Sequence, residues 1–363
     1  MKTLTSKERL TRCFYHQEID RPSVYSRTSF PKIDATYNKL KRLLIEKTDI
    51  KEYWQGIEID QYQVDTSQEP YKDGYIKLYK KINTPKGDLT STSAMCIQDY
   101  STSVIEYFIK DETDIEKYLS LPFPEIKVNP SLYYKAEQDM GDRGIIMTNF
   151  GSNPGGSAVE LCGSETFALF SITNRELLYE LCENRKKIIL SILEKLKEYR
   201  IGHFFSMQGE EYITPPLHGQ KDFYDFNVKY DKQIIDSVHD MGGKMHIHSH
   251  GSIKKVIEGF IDMGVDVLHP FEAPPLGDIT IKEAKDKVKN KICIEGNIEI
   301  SLMYEKTPEE IIEITTNLIE EGFYDNKGLI VSPTASPCFY GKGRECYNQY
   351  KALIETVINW SSV

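Results

Sequence analysis

The sequence contains no CxxC pair, no long apolar run and no linker rich in glycine, serine or proline. Its seven cysteines lie far apart with no repeated spacing, so a disulfide framework is not expected. No apolar run approaches the length needed to cross a bilayer, and the opening MKTLTSKERLTRCFYHQ lacks the apolar core of a signal peptide. We therefore expect a cytoplasmic protein with no membrane contact.

The chain also carries a net negative charge, because acidic residues outnumber basic ones. The 55 Asp and Glu residues outnumber the 45 Lys and Arg residues, and the basic side chains are scattered rather than arranged in a stripe. This pattern disfavours nucleic acid as a partner. The content of 40% hydrophobic and 28% charged residues is ordinary for a globular protein. At 363 residues, one (β/α)8 barrel with insertions can account for the chain, and we expect a single domain over residues 1–363.

Short apolar runs alternate with amphipathic stretches over the second half of the chain. The apolar runs are GIIMTNFG (144–151), HFFSMQG (203–209), KMHIHSHG (244–251), VDVLHPFE (265–272), KICIEGN (291–297) and GLIVSPT (328–334). The helix-like stretches are roughly 174–199, 221–241, 253–263, 279–289, 307–321 and 343–360. Thr307 is a predicted N-cap, followed by Pro308 at the first helical position and a capping-box Glu310. Repeated strand–helix units predict right-handed crossovers and a parallel sheet.

These units predict an α/β fold, a (β/α)8 TIM barrel with an N-terminal extension or insertion. RPSVYSR (21–27) can be its first strand, and turn signals at 72–74 and 85–88 mark a β-rich excursion near 50–110. The pattern alone does not assign the second strand. A doubly wound open sheet is the competing architecture, but no GxGxxG or Walker-type loop follows any of the predicted strands.

Three histidines at period two, His246, His248 and His250, end one of these strands. Alternate residues of a strand point the same way, so the three imidazoles share a face that can line the barrel mouth, where barrel enzymes carry their reactive groups. Cα atoms lie about 7 Å apart for residues two apart and about 13 Å for residues four apart. One zinc ion, with bonds of about 2 Å to nitrogen, can therefore bind only an adjacent pair. His248 and His250, nearest the strand end, are the expected ligands.

Glu272, at the end of the next strand, is the natural third ligand of an open His2Glu zinc site, and His269 is a poorer candidate. Cys338 could reach over the mouth as a fourth ligand, or could simply pack beside Phe339. The plainer interpretation of the histidines is that they are hydrogen-bonded core residues. Three of them at period two, on a strand that ends in glycine, favour metal binding.

Other polar residues follow the neighbouring strands. Glu210 and Asn297 are candidate catalytic residues, and Arg27, Glu211 and Tyr340 are candidate substrate-binding residues. Each also has a plainer interpretation, because strand-end carboxylates often cap the next helix or pair with a basic residue, and aromatic side chains pack.

Several longer stretches resemble the uroporphyrinogen decarboxylase superfamily. They are KERLTRCFYHQEIDRPSVY, KMHIHSHG, HPFEAPPLGDITIKEAK, CIEGNIE followed by TPEEI, and SPTASPCFYG. The similarity runs nearly end to end. One branch of this superfamily, the porphyrinogen decarboxylases, needs no metal, and another comprises zinc-dependent methyltransferases that serve corrinoid (cobalamin) proteins.

The motifs resemble the methyltransferase branch more closely. The decarboxylases carry Arg-Gln-Ala-Gly-Arg after the first strand, whereas the matching stretch here reads Arg27-Thr28-Ser29-Phe30. The methyltransferases carry His-x-Cys-Gly, then an acidic residue on the next strand, then Gly-Asn. His248-Ser249-His250-Gly251, Glu272 and Gly296-Asn297 match these three, with histidine in place of cysteine.

Two departures from the methyltransferase pattern bear on the chemistry. The family's late Ser-Pro-Gly-Cys is degraded to Ser332-Pro333-Thr334-Ala335, and the nearest thiol, Cys338, lies three residues further on. His250 also replaces a thiolate. Imidazole and carboxylate ligands would leave a harder, more Lewis-acidic ion that favours oxygen.

The resemblance implies a methyltransferase that moves a methyl group between a small substrate and a corrinoid protein, with Zn2+ polarising the reacting heteroatom. The chain lacks an Asp-x-His-x-x-Gly signature, so we expect a partner protein to supply the corrinoid. The superfamily contains dimers, which makes a homodimer a candidate assembly. One competing hypothesis is a metal-free decarboxylase (lyase) of a small carboxylic acid, in which histidines act as general acids and Arg27 holds the carboxylate. Another is a non-enzymatic barrel whose mouth traps a ligand.

Overall fold

A computed structural model describes residues 3–31 and 34–360, so the ends of the predicted 1–363 domain lie outside the described residues. The strands within the described ranges are β1 (Ser23–Val24), β2 (Ile50–Tyr53), β3 (Ile57–Asp60), β4 (Val64–Pro70), β5 (Tyr75–Thr84), β6 (Gly87–Cys96), β7 (Thr102–Glu106), β8 (Glu125–Val128), β9 (Gly144–Ser152), β10 (Phe204–Gln208), β11 (Lys244–His248), β12 (Val267–His269), β13 (Cys293–Ile298) and β14 (Leu329–Pro333).

The α-helices of the described ranges are α1 (Ser6–Phe14), α2 (Asn38–Lys47), α3 (Glu112–Leu119), α4 (Pro130–Met140), α5 (Pro154–Thr173), α6 (Arg175–Glu198), α7 (Gln220–Phe223), α8 (Lys229–Asp240), α9 (Ile257–Met263), α10 (Ile281–Val288), α11 (Leu302–Glu305), α12 (Pro308–Gly322) and α13 (Tyr347–Ile358). Among them, no helix is long and apolar enough to cross a membrane.

Eight strands form one parallel sheet in the order β1-β14-β13-β12-β11-β10-β9-β2. Its two end strands meet: Asp49 N, just before β2, donates a hydrogen bond of 2.8 Å to Val24 O in β1. The sheet therefore curls into a TIM-like barrel, and the predicted fold class is confirmed. Sequential strands pair in order from β9 to β14, as strand–helix repeats require.

The second barrel strand is β2, which lies inside the range predicted for the β-rich excursion. The β-rich excursion predicted near 50–110 follows this strand and begins after Tyr53. β2 reads IKEY, with Ile50 and Lys51 buried and the other two residues largely exposed. So short a strand, with a buried lysine, lacks the apolar run that identifies a barrel strand in the sequence.

The excursion consists of two antiparallel sheets. Strands β4–β7 form a four-stranded sheet, and β3 pairs with β8. The predicted turn signals lie at its hairpins: Gly74 and Gly87 both have positive φ, which glycine adopts without strain. Its own core is small, consisting of Ile82, Leu89 and Leu121.

The helix predictions hold best where capping residues support them. The Thr307 hydroxyl accepts a hydrogen bond from Glu310 N, and the Glu310 carboxylate accepts one from Thr307 N, so the predicted capping box of α12 is confirmed. The stretch predicted as one helix over 221–241 is instead α7, a π-helical turn over Tyr224–Val228, and α8. Such π turns occur frequently beside functional sites.

Candidate active site

Strand register brings the predicted site residues to one end of the barrel. His248 pairs with Gln208 on β10 and with His269 on β12. Because parallel strands end at the same edge, the loops that follow β10, β11 and β12 meet above this layer. His250 and Glu272 lie in two of these loops.

His250 and Glu272 form a hydrogen-bonded pair. His250 Nδ1 lies 2.9 Å from Glu272 Oε1, and Gly251 N donates to Glu272 Oε2 over 2.7 Å. Burial alone would raise the pKa of Glu272, but these hydrogen bonds outweigh burial and lower it. The ionised carboxylate only accepts, so His250 Nδ1 is the donor. Asn297 Nδ2 donates to Phe271 O over 3.1 Å and so holds the backbone beside Glu272.

His248 contacts a second histidine and an arginine. Its Nδ1 lies 2.7 Å from His269 Nδ1, and Arg27 Nη1 lies 3.0 Å from its Nδ1 and 2.9 Å from its Nε2. Burial, then His269, then Arg27 lower the pKa of His248. Burial likewise lowers the pKa of His269 to about 3. Both imidazoles are therefore neutral at pH 7. The centroid of the His250 ring lies 4.6 Å from the centroid of the His248 ring.

His246 faces a buried ion pair below the mouth. Its Nε2 lies 3.3 Å from Glu295 Oε2, and the same carboxylate pairs with Lys51 Nζ. All three side chains are buried. Burial would raise the pKa of Glu295, but the Lys51 charge together with the interactions with His246 and His269 outweighs burial and holds that pKa well below its usual range. The sequence interpretation missed Lys51, because only barrel closure brings β2 near β13.

A cavity of about 360 Å³ opens beside His250, a volume suited to a small ligand. Glu211 lines it, and its Oε2 accepts a hydrogen bond of 3.1 Å from Gly209 N. Burial raises the pKa of Glu211. The other lining residues are Ser164, Tyr212, Thr214, Pro215, Pro216, Leu217, Gly251, Ser252 and Leu276.

Glu210 points away from this cavity into the protein. Its side chain is fully buried, and neither carboxylate oxygen has a hydrogen-bond partner among the described residues. Burial, followed by the nearby Asp231 carboxylate, raises its pKa well above the usual range. Asp231 accepts a hydrogen bond of 2.7 Å from Asn153 Nδ2. Of the two candidate glutamates that follow β10, only Glu211 lines the cavity.

Cys338 and Tyr340 lie in the loop after β14, and both are exposed. The loop is held by the segment that follows the neighbouring strand β1: Tyr37 donates from its hydroxyl to Phe339 O over 2.7 Å. No contact described for either side chain joins it to His248, so their predicted roles stay predictions.

The predicted ligands suit zinc by type. Two imidazoles and an ionised carboxylate form a familiar zinc set, and His248 has the neutral state that binding requires. Within residues 3–31 and 34–360, however, no three His, Cys, Asp or Glu side chains are gathered in a metal-binding arrangement. In the structure, His250 is hydrogen-bonded to Glu272, and the Arg27 guanidinium contacts His248. An ion shared by these ligands would have to replace both contacts.

Comparison with known families supports the resemblance seen in the sequence. Residues 170–336 match the family described as Uroporphyrinogen decarboxylase (URO-D). This segment includes β10 to β14 and hence every histidine of the site. The predicted resemblance is therefore confirmed. Among proteins with curated descriptions, none matches the chain significantly by sequence.

Solved structures extend the comparison to nearly the whole chain. A methyltransferase from Methanosarcina mazei superposes with a TM-score of 0.63 at 13% identity, covering 97% of this chain and 99% of that one. At this identity the likeness shows the shared fold. A B12-independent methionine synthase from Shewanella sp. W3-18-1 is also similar, with a TM-score of 0.43 at 9% identity, over 84% of this chain and 76% of the other.

Proposed function

We propose that this chain, whose residues 170–336 match the URO-D family, is a zinc-dependent methyltransferase that moves a methyl group between a small substrate and a corrinoid protein. One observation carries the proposal: neutral His248 and the His250–Glu272 pair meet at the barrel mouth, beside a cavity of ligand size. The shared fold with a methyltransferase over 97% of the chain supports it.

His248, His250 and Glu272 would hold the ion, with Cys338 as a candidate further ligand. Bound zinc would act as a Lewis acid toward the substrate heteroatom that gains or loses the methyl group. Glu211 lines the cavity with a raised pKa, which suits it to exchange a proton with that heteroatom. Asn297 would act by holding the backbone next to Glu272.

A metal-free lyase is the second candidate, and one contact favours it. Arg27 forms no ion pair with a carboxylate among the described residues, and its guanidinium lies on neutral His248 at the mouth. There it could hold a substrate carboxylate while an imidazole transfers a proton. Dependence on metal separates this candidate from the first.

The test compares zinc-loaded and chelator-stripped protein, purified without a metal-affinity step. Methylcobalamin serves as a surrogate for the corrinoid partner, small thiols and alcohols as acceptors, and the absorbance of the methylated corrinoid as the readout. We expect zinc-loaded protein to accelerate demethylation with at least one acceptor class, and stripped protein to give the background rate. Equal rates with and without zinc would contradict the proposal.

A further inference from the structure

A second cavity, of about 480 Å³, lies between the excursion and helices α5 and α6. One wall comes from residues on or next to β3, β7 and α3, and the other comes from the two helices and the end of β9. The cavity shares no lining residue with the one beside His250. Its volume suits a small ligand.

Arg185, on α6, brings a positive charge to this cavity. Its Nε donates a hydrogen bond of 3.2 Å to Ser152 O, and its Nη2 donates to Phe150 O, so both bonds hold the end of β9. Nη1 has no hydrogen-bond partner among the described residues, and it is not enclosed by protein atoms. Because a guanidinium carries five N–H donors in a planar fork, Arg185 keeps donors free for another acceptor.

The Arg185 charge also lacks a counterion within the protein. No carboxylate of residues 3–31 and 34–360 lies within ion-pair distance of its guanidinium, whereas Arg9 and Arg175 each pair with two aspartates. Burial lowers the pKa of Arg185, because enclosure disfavours the charged form. A carboxylate supplied by a ligand would stabilise this charge through charge-assisted hydrogen bonds.

Glu160, on α5, lines the same cavity without neutralising Arg185. Its side chain is exposed, and its Oε1 accepts a hydrogen bond of 2.5 Å from the Ser152 hydroxyl. Glu160 attracts the guanidinium only from beyond ion-pair distance. The fork of Arg185 is therefore left for a ligand rather than for this side chain.

Aromatic and aliphatic side chains form much of the remaining wall. Tyr62 and Tyr118 meet edge to face, with ring centroids 6.3 Å apart at an angle of 72°. Phe108 and Ile188 also line the cavity. Such walls suit an aromatic ring, because aromatic pairs gain from edge-to-face and offset-stacked contacts in addition to the burial of apolar area.

We propose that this cavity binds a small aromatic carboxylate, whose carboxylate group pairs with Arg185 and whose ring packs against Tyr62 and Phe108. The site is separate from the zinc site at the mouth. It does not depend on the proposed methyl transfer, so it can be tested on the full chain without metal or corrinoid.

The test measures binding of fluorophenylacetate to the full chain by fluorine NMR, with fluorophenylacetamide as a neutral probe of nearly the same shape. Wild type should bind one carboxylate per chain, roughly tenfold or more tighter than the amide. Arg185→Met should weaken binding of the carboxylate by roughly 10–100-fold, the scale of hydrogen bonds from a charged donor, and should leave binding of the amide unchanged. Equal binding of both probes by wild type, or full binding of the carboxylate by Arg185→Met, would overturn the proposal.

Asn184→Asp is a second variant, because Arg185→Met also removes the bonds that hold the end of β9. Asn184 lines the cavity, and this change adds a negative charge there while Arg185 stays in place. It should weaken binding of the carboxylate and spare the amide, whereas Asn317→Asp, at an exposed position of α12, should change neither. Equal effects of these two variants on the carboxylate would contradict the assigned site.

The mouth offers a competing arginine, Arg27, which could also hold a carboxylate. Arg27→Met should leave binding of fluorophenylacetate unchanged if the ligand occupies the cavity of Arg185. Loss of binding in Arg27→Met together with full binding in Arg185→Met would place the carboxylate at the mouth and overturn the proposal.

Discussion

At the scale of single residues, the sequence indicates which side chains end the strands but not which partners they contact. The spacing of the histidines and the following glutamate placed His248, His250 and Glu272 together, and the structure joins two of them by a hydrogen bond. Arg27 is 221 positions away from His248 in the chain, and Lys51 is 244 away from Glu295. Contacts between such distant residues depend on barrel closure, which local patterns do not encode.

Glu210 gives a residue-scale prediction about pH. Its pKa is raised in the folded state. As pH rises above the ordinary glutamate range, the unfolded chain therefore releases this proton before the folded protein does, and the free energy of unfolding falls. Glu210→Gln, which keeps the shape without the charge, should raise the unfolding free energy at pH 8 by on the order of 1 kcal/mol. The gain should shrink toward pH 5.

Urea denaturation at both pH values measures this effect. Glu194→Gln, an exposed carboxylate on α6, is the matched control and should leave the pH dependence unchanged. A gain that is the same at pH 5 and pH 8 would show that the Glu210 charge is not the cause.

At the scale of elements, sequence patterns predicted what is buried and missed what is exposed or irregular. The six apolar runs became β9 to β14 with small shifts at their ends. The strands of the excursion carry mostly exposed residues, so their apolar pattern is weak, and β4 has none buried. The helix predicted over 221–241 is interrupted by a π turn, which depends on packing rather than on local propensity.

The α12 capping box gives an element-scale prediction. Thr307→Ala removes the acceptor for Glu310 N and should lower the unfolding free energy by about 1 kcal/mol. Thr316→Ala, in the same helix, is the control: its hydroxyl bonds only back to Ile312 O, and alanine is the better helix former, so stability should hold or rise slightly. Thermal or urea unfolding measures both. An equal loss in the two variants would show that the cap contributes nothing specific.

At the scale of the whole molecule, closure of the barrel determines which residues meet at the candidate site. Residues 170–336 match the URO-D family and supply five of the eight barrel strands. Of the other three, β9 follows a clear apolar run, whereas β1 and β2 come from the part of the chain where patterns are weakest. That part contributes Arg27 and Lys51, which contact the histidines or the ion pair beneath them. The sequence therefore predicted the site residues that follow β10 to β12 and Arg27 after β1, but not Lys51 on β2, which only barrel closure brings beneath the histidines.

The central claim is that the mouth binds a zinc ion through His248 and its neighbours. The most direct test measures the zinc content of wild type, His248→Ala and His246→Ala. Each protein is dialysed against buffered zinc and then subjected to elemental analysis. We predict one ion per chain in wild type and in His246→Ala, whose imidazole faces Glu295 below the mouth, and loss of the ion in His248→Ala. Substoichiometric zinc in wild type, or equal loss in both variants, would contradict the account.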